Sequence, residues 1–240
     1  MKIAVLLLLL LCTSKSAVSS DSLLKKYCIE FNELDGKITR QQIDKDDAAD
    51  KMKELISQIE IVYKKENRSR EMEWKFPLKN YTSLHYRDYG NDYRQAGYDY
   101  FQGSNSKGHP AHDIMILDSN KDLLDDSTLM PVDVVSMCTG IVVAVDTTWE
   151  PGSVLRGGKY VKVFDPHRGG LFYYSHLSEI SVTPGKEVNA GEKIGEVGRT
   201  GRKATLPQGK THLHVAYLVF ENGYPKPKDI IKELKEAEGR

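Results

Sequence analysis

The chain is poor in several things that would otherwise decide its class. It has only three cysteines in 240 residues, so no dense disulfide framework substitutes for a hydrophobic core. It has no charge of one sign: 34 basic residues balance 34 acidic ones, which removes the electrostatic case for nucleic acid or an anionic membrane surface as partner. It has one long apolar run, residues 3–11, too short for a membrane-spanning helix. The glycines at 191–201 lack the Gly-Lys-Ser/Thr ending of a phosphate loop. The acidic stretch 118–122 lacks the turn glycine (Leu123) and terminal glutamate (Leu129) of a calcium loop. No internal repeat or low-complexity tract is present.

What is present begins with a leader. Lys2, the apolar run and the small, polar residues 13–20 have the layout of an export signal, with cleavage after Ser19. The protein is therefore expected in the periplasm, at the cell surface or outside the cell. Cys12 raises the alternative of a lipoprotein anchor, although the preceding Leu9-Leu10-Leu11 lacks the usual small residue. The remaining pair, Cys28 and Cys138, could form one disulfide in an oxidising compartment or stay as buried thiols.

Residues 20–75 are expected to be a helical N-terminal segment. Met52, Leu55, Ile56, Ile59, Val62 and Tyr63 recur at spacings of three and four, one face of an amphipathic helix. Such a helix either packs on the main domain or lies over its site as a lid. Residues 71–108 are loop-rich and crowded with tyrosines placed to wall a groove. Beyond them, within a main domain of residues 76–228, short apolar runs at 132–145, 160–164, 171–174, 193–197 and 213–220 alternate with Gly and Pro, which reads as a β-sandwich or stacked sheets. Residues 229–240 read as a short surface helix.

Two fragments carry the chemistry. His212-Leu213-His214 in a strand puts two imidazoles on one face, about 6.5–7 Å apart by the strand rise. His109 and Asp113 share a face if their segment is extended, and Pro110 argues against a helix interior there. His112 would then point the other way. A third element, Tyr174-Ser175-His176-Leu177, closes a predicted strand. Together they supply more than the three His/Asp ligands of a catalytic zinc site, which keeps a further position open for water. The second Glu-His element of the helical zinc peptidases is absent. His85 and His167 read as surface residues.

In order, spacing and flanks, residues 96–226 resemble the lysostaphin-type zinc metallopeptidases, the peptidoglycan endopeptidase family. The resemblance is carried by Gly108-His109-Pro110-Ala111-His112-Asp113, Tyr174-Ser175-His176-Leu177, Thr211-His212-Leu213-His214 and the glycine-spaced run from Pro184-Gly185 to Thr200-Gly201. It implies a mainly β fold, the antiparallel sandwich of the duplicated hybrid motif. It also implies one zinc ion held by His109, Asp113 and His214, and His176 and His212 as catalytic histidines beside the activated water. Peptidoglycan peptides would be the substrate, and a tyrosine upstream of the first histidine, Tyr98 or Tyr100, would bind it. A metal-free wall-binding regulator and a phosphocarrier-like hybrid-fold domain are the competing functions. The five site residues disfavour the first, and the leader and His-x-x-x-Asp element disfavour the second.

Overall fold

The computed structural model describes residues 19–65 and 73–239. The apolar leader and Cys12 lie outside them. The described chain starts with two helices, α1 (Ser20–Thr39) and α2 (Lys45–Lys65). The Ser19 side chain caps α1 by accepting from the Ser22 amide, and Asp44 Oδ1 accepts from the Asp46 amide at the start of α2. Asp46 and Asp47 open α2 and Lys64 and Lys65 close it, each charge opposed to the helix dipole. Leu24, Cys28, Phe31, Leu34 and Ile38 make the buried stripe of α1; Met52, Ile56, Ile59, Val62 and Tyr63 make that of α2.

Twelve strands follow: β1 (Leu78–Lys79), β2 (Leu84–Tyr86), β3 (His112–Ile116), β4 (Asp133–Val135), β5 (Gly140–Asp146), β6 (Lys159–Asp165), β7 (Gly170–Leu177), β8 (Glu179–Ile180), β9 (Glu187–Val188), β10 (Lys193–Glu196), β11 (His212–Glu221) and β12 (Tyr224–Lys228), before a last helix α3 (Ile231–Glu238). They build a four-stranded sheet in the order β1-β4-β10-β8. An eight-stranded sheet runs β2-β3-β11-β7-β6-β5-β9, with β12 paired to β11. Every pairing within them is antiparallel. This is the mainly β, two-sheet architecture with N-terminal helices that the sequence predicts. The 132–145 run divides into β4 and β5, which belong to different sheets. The β11–β12 hairpin turns at Asn222-Gly223, both at positive φ, the backbone a two-residue hairpin loop needs.

Alternation along the strands of the larger sheet sorts its residues into two layers. Val161, Val163, Phe172, Tyr174, Leu213, Val215 and Tyr217 face inward to the smaller sheet, where Trp74 meets Phe172 and Tyr217 edge-on at 4.8 and 4.7 Å. Tyr160, Phe164, Leu171 and Leu218 face outward, under α1 and α2. Trp74 belongs to the inter-sheet core, and α3 is no mere surface helix, because Ile230, Leu234 and Ala237 close that same core.

Of the two alternatives for Cys28 and Cys138, a disulfide or buried thiols, the structure has the second: both thiols are free and buried. The reason is the layering: Cys28 lies in the outer cluster beneath α1 and Cys138 in the inter-sheet core, on opposite sides of the larger sheet. Burial pushes the Cys28 thiol up to about 12 and the Cys138 thiol well above its ordinary value.

Candidate active site

The outer face of the larger sheet is shared between two tenants. The helices cover one part, and a cavity of about 570 Å³ opens over the other. No described residue of α1 or α2 lines that cavity.

Strand register assembles its floor. In the β3–β11 ladder Asp113 lies opposite His214 and His112 opposite Val215. Residues directly opposite one another share a face, so Asp113 and His214 both face outward while His112 turns inward with Val215. His112 is fully buried there. Its Nδ1 lies 3.0 Å from Asp92 Oδ1 and its Nε2 3.0 Å from Asp229 Oδ1. His109 precedes β3 in an isolated bridge to Arg94, and its imidazole comes to the same side as Asp113. His85 is exposed and His167 half-buried, both away from the cavity lining.

Simple alternation fails for His176. In β7, Tyr174 faces the core, so regular pleating would turn His176 inward as well. Instead the β6–β7 register slips between Lys159 and Tyr160, and His176 takes φ = +66°. This bulge places Ser175 and His176 together in the cavity wall and returns Leu177 to the core. A left-handed imidazole residue is backbone strain held by its surroundings: the His176 amide donates to the Gly157 carbonyl at 2.8 Å and its Nδ1 to the Thr200 carbonyl at 2.7 Å.

The resulting cluster is dense. Ligand atoms of His109, Asp113 and His214 lie within 4.8 Å of one another, and the cluster stands out among the described residues as able to hold a metal ion. His109 Nδ1 donates to the Asp92 carbonyl at 3.0 Å, which leaves Nε2 as the free nitrogen, 3.0 Å from Asp113 Oδ1. His214 Nδ1 lies 2.9 Å from the same oxygen. Arg87 donates to Asp113 Oδ2 at 3.1 Å, and Asp92 Oδ2 accepts from the Asp113 amide at 2.9 Å. His176 and His212 stand beside this set with ring centroids 4.6 Å apart. His212 Nδ1 donates to the Lys210 carbonyl at 2.7 Å, so both rings keep Nε2 for the cavity.

Electrostatics divide the imidazoles. Burial pulls His109 down, but the hydrogen bond and charge of Asp113 outweigh it and its pKa ends raised. Burial holds His214 below the ordinary imidazole value against the pull of Asp113. Burial and then the neighbouring His212 and His214 hold His176 well below it. Asp113 resists its own burial through the hydrogen bonds of His109 and His214 and stays well below the usual carboxylate range.

Tyr98 and Tyr100 both line the cavity. Burial raises both phenols, so they remain protonated donors. The Tyr100 hydroxyl is committed to Asp35, a fully buried residue of α1. Sequence reasoning missed Asp92, Arg87 and Thr200. Each is a lone residue far from its partner in the chain, and no local spacing marks it.

Residues 127–225 match the model of peptidase family M23. That segment includes His176, His212 and His214; His109 and Asp113 lie upstream and join through the β3–β11 ladder. None of the curated proteins matches the chain. Among solved structures, the chain is similar to a candidate glycyl-glycine endopeptidase, LytM, of Ruminococcus gnavus. The identity there is 19%, over 93% of this chain and 97% of that one, with a TM-score of 0.51. It is also similar to the catalytic domain of the antimicrobial peptidase lysostaphin of Staphylococcus simulans, with 25% identity over 55% of this chain and 82% of that one and a TM-score of 0.39. A zinc-containing peptidase of Vibrio cholerae is 22% identical over 65% of this chain and 39% of that one, with a TM-score of 0.41.

Proposed function

With a family M23 peptidase domain of the lysostaphin type as premise, we propose that this protein is an exported zinc endopeptidase that hydrolyses peptide bonds of bacterial peptidoglycan. The observation that carries the reading is the contact between His109 Nε2 and Asp113 Oδ1. In neutral His109 the one proton goes to the Asp92 carbonyl, and the Nε2 lone pair faces a carboxylate oxygen at 3.0 Å. At that distance the contact closes through a second proton on His109, which its raised pKa favours, or through a metal ion in its place. Two imidazoles and one carboxylate are also a donor set that suits zinc. His109, Asp113 and His214 would hold one ion per chain. Bound zinc supplies Lewis acidity, polarising the scissile carbonyl and making water a nucleophile at neutral pH.

The rest is the work of this chain's side chains. Asp92 fixes the tautomer of His109 through its carbonyl and the backbone of Asp113 through its carboxylate. His176 is kept neutral by burial, and its Nδ1–H is anchored on Thr200, so Nε2 accepts the proton of the attacking water. His212, anchored in the same way on Lys210, presents a second Nε2 that takes up or returns a proton. Whichever ring becomes protonated turns into a donor for the developing oxyanion and then for the leaving amine. Tyr98 adds a protonated hydroxyl on the cavity wall to orient the peptide.

The test separates binding from turnover. The purified protein is expected to hold one zinc per chain by metal analysis, and His109→Ala or Asp113→Ala to lose it. His212→Ala should keep zinc and lose muropeptide cleavage by a factor of about 10²–10⁴. Folded wild type without zinc would move the assignment to a non-catalytic wall-binding protein.

A further inference from the structure

The chain as a whole is neutral, but the cavity is not. Seven Lys or Arg residues line it, against Asp113 as the acidic lining residue. Two of the seven are neutralised: Arg87 by Asp113 and Lys162 by Asp35. Lys107, Arg156, Arg202, Lys203 and Lys210 have no acidic partner among the described residues.

Their placement follows the segments that build the site. Lys107 sits two residues before His109, and Lys210 two before His212. Arg156 precedes Gly157, whose carbonyl holds the His176 amide, and donates to the Ser106 carbonyl across the rim. Arg202 and Lys203 follow the Thr200-Gly201 segment that anchors the His176 ring. The segments before His109 and His212, and the two that fix His176, thus each carry a cation to the same cavity; β7, which bears His176 itself, carries none. Lys107, Arg202, Lys203 and Lys210 are exposed, so their charge is aimed at an approaching ligand rather than spent inside the fold. Clustered charge of one sign in a walled cleft focuses the field and selects a ligand of the other sign.

We infer that the cavity takes peptides bearing ionised carboxylates beside the scissile bond and discriminates against uncharged, glycine-only peptides. This deepens the endopeptidase reading and rests on it for the word scissile; the charge preference itself can be read by binding alone. An uncharged glycine peptide gains nothing from five unpaired cations, whereas a stem-type peptide with free α- or side-chain carboxylates meets them on four segments around the site.

The experiment uses the full zinc-loaded protein and three synthetic peptides: one carrying carboxylates, its carboxamide twin and a glycine oligomer blocked at both ends. Cleavage is followed by mass spectrometry, and binding by calorimetry. The carboxylate peptide is expected to exceed its twin in kcat/KM by about tenfold or more at low salt, with the gap narrowing as ionic strength rises. Arg202→Gln/Lys203→Gln should cut the ratio between the two peptides by about threefold or more. Equal kcat/KM and equal binding for the twins, or a preference for the glycine oligomer, would overturn the inference. If no peptide is cleaved but the carboxylate peptide alone binds, the hydrolytic reading falls and the charge selection stands.

Discussion

Two aspartates on the same face of the same sheet have opposite fates. Asp35, brought down by α1, is fully buried and fully matched: Lys162 Nζ donates to it at 2.5 Å and Tyr160 at 2.7 Å, with the Tyr100 hydroxyl as a third donor. Lys162 also lies 4.7–5.2 Å from the centroids of three tyrosine rings. Asp113 is nearly as buried but is surrounded mainly by imidazoles, whose charge is conditional, with half-exposed Arg87 as its one fixed cation. The first cluster is complete without any ligand; the second lacks positive charge at the oxygen it shares with His109 and His214. A structural ion pair closes on itself, whereas the proposed metal site leaves that carboxylate oxygen short of a fixed cation.

The comparison breaks most visibly at Asp35. Asp35→Ala leaves Lys162 buried without its carboxylate and should cost about 3–5 kcal/mol of folding stability. Denaturant unfolding measures this, and the double variant Asp35→Asn/Lys162→Met should recover most of the loss. A single variant as stable as wild type would show that the latch between α1 and the sheet is dispensable.

At Asp113 the expected effect is smaller and falls on affinity. Asp92→Ala removes the carboxylate that accepts from the Asp113 amide and faces His112, and keeps the backbone carbonyl that holds His109. Zinc affinity, followed by competition with a chelator, should weaken about 10–100-fold with the fold intact. Unchanged affinity would place Asp92 outside the metal site.

The smallest effect is in titration. His176 is held well below the ordinary imidazole value, first by burial and then by His212 and His214. Folding therefore favours its neutral form. That contribution to stability is complete above pH 6.5 and is lost as pH falls from there through the lowered value. His109 runs the other way: its pKa is raised, so its contribution is complete below 6.5 and is lost as pH rises through the raised value. In metal-free protein, His212→Gln should move the His176 midpoint upward in an imidazole NMR titration. A downward shift would contradict the repulsion assigned to His212.

Much of this site was legible because sheet geometry is periodic. His212-Leu213-His214 is a pattern of period two, and the inward turn of His112 follows from its single-residue offset from Asp113. The β run with its glycine and proline punctuation likewise announced two sheets. What periodicity cannot announce is a break in itself. Alternation sends His176 to the wrong side, and only the bulge, set by pairing with β6, corrects it. Asp92, Arg87 and the Asp35–Lys162 pair were hidden because their meaning lies in partners 21, 26 and 127 residues away. Cys28 and Cys138 left bond and free thiols open because sequence does not show which side of a sheet a residue occupies.

Asp113 and His214 are 101 residues apart in the chain and meet only across the β3–β11 ladder. A loop of that length is closed late, after local hairpins such as β6–β7 have formed. The His109–Asp113–His214 cluster is therefore expected among the last features to come into existence during folding. A nascent or fragmentary chain that lacks β11 carries His109, Asp113 and His176 but neither His212 nor His214. Under the proposed function, activity would report that the whole sheet has been completed.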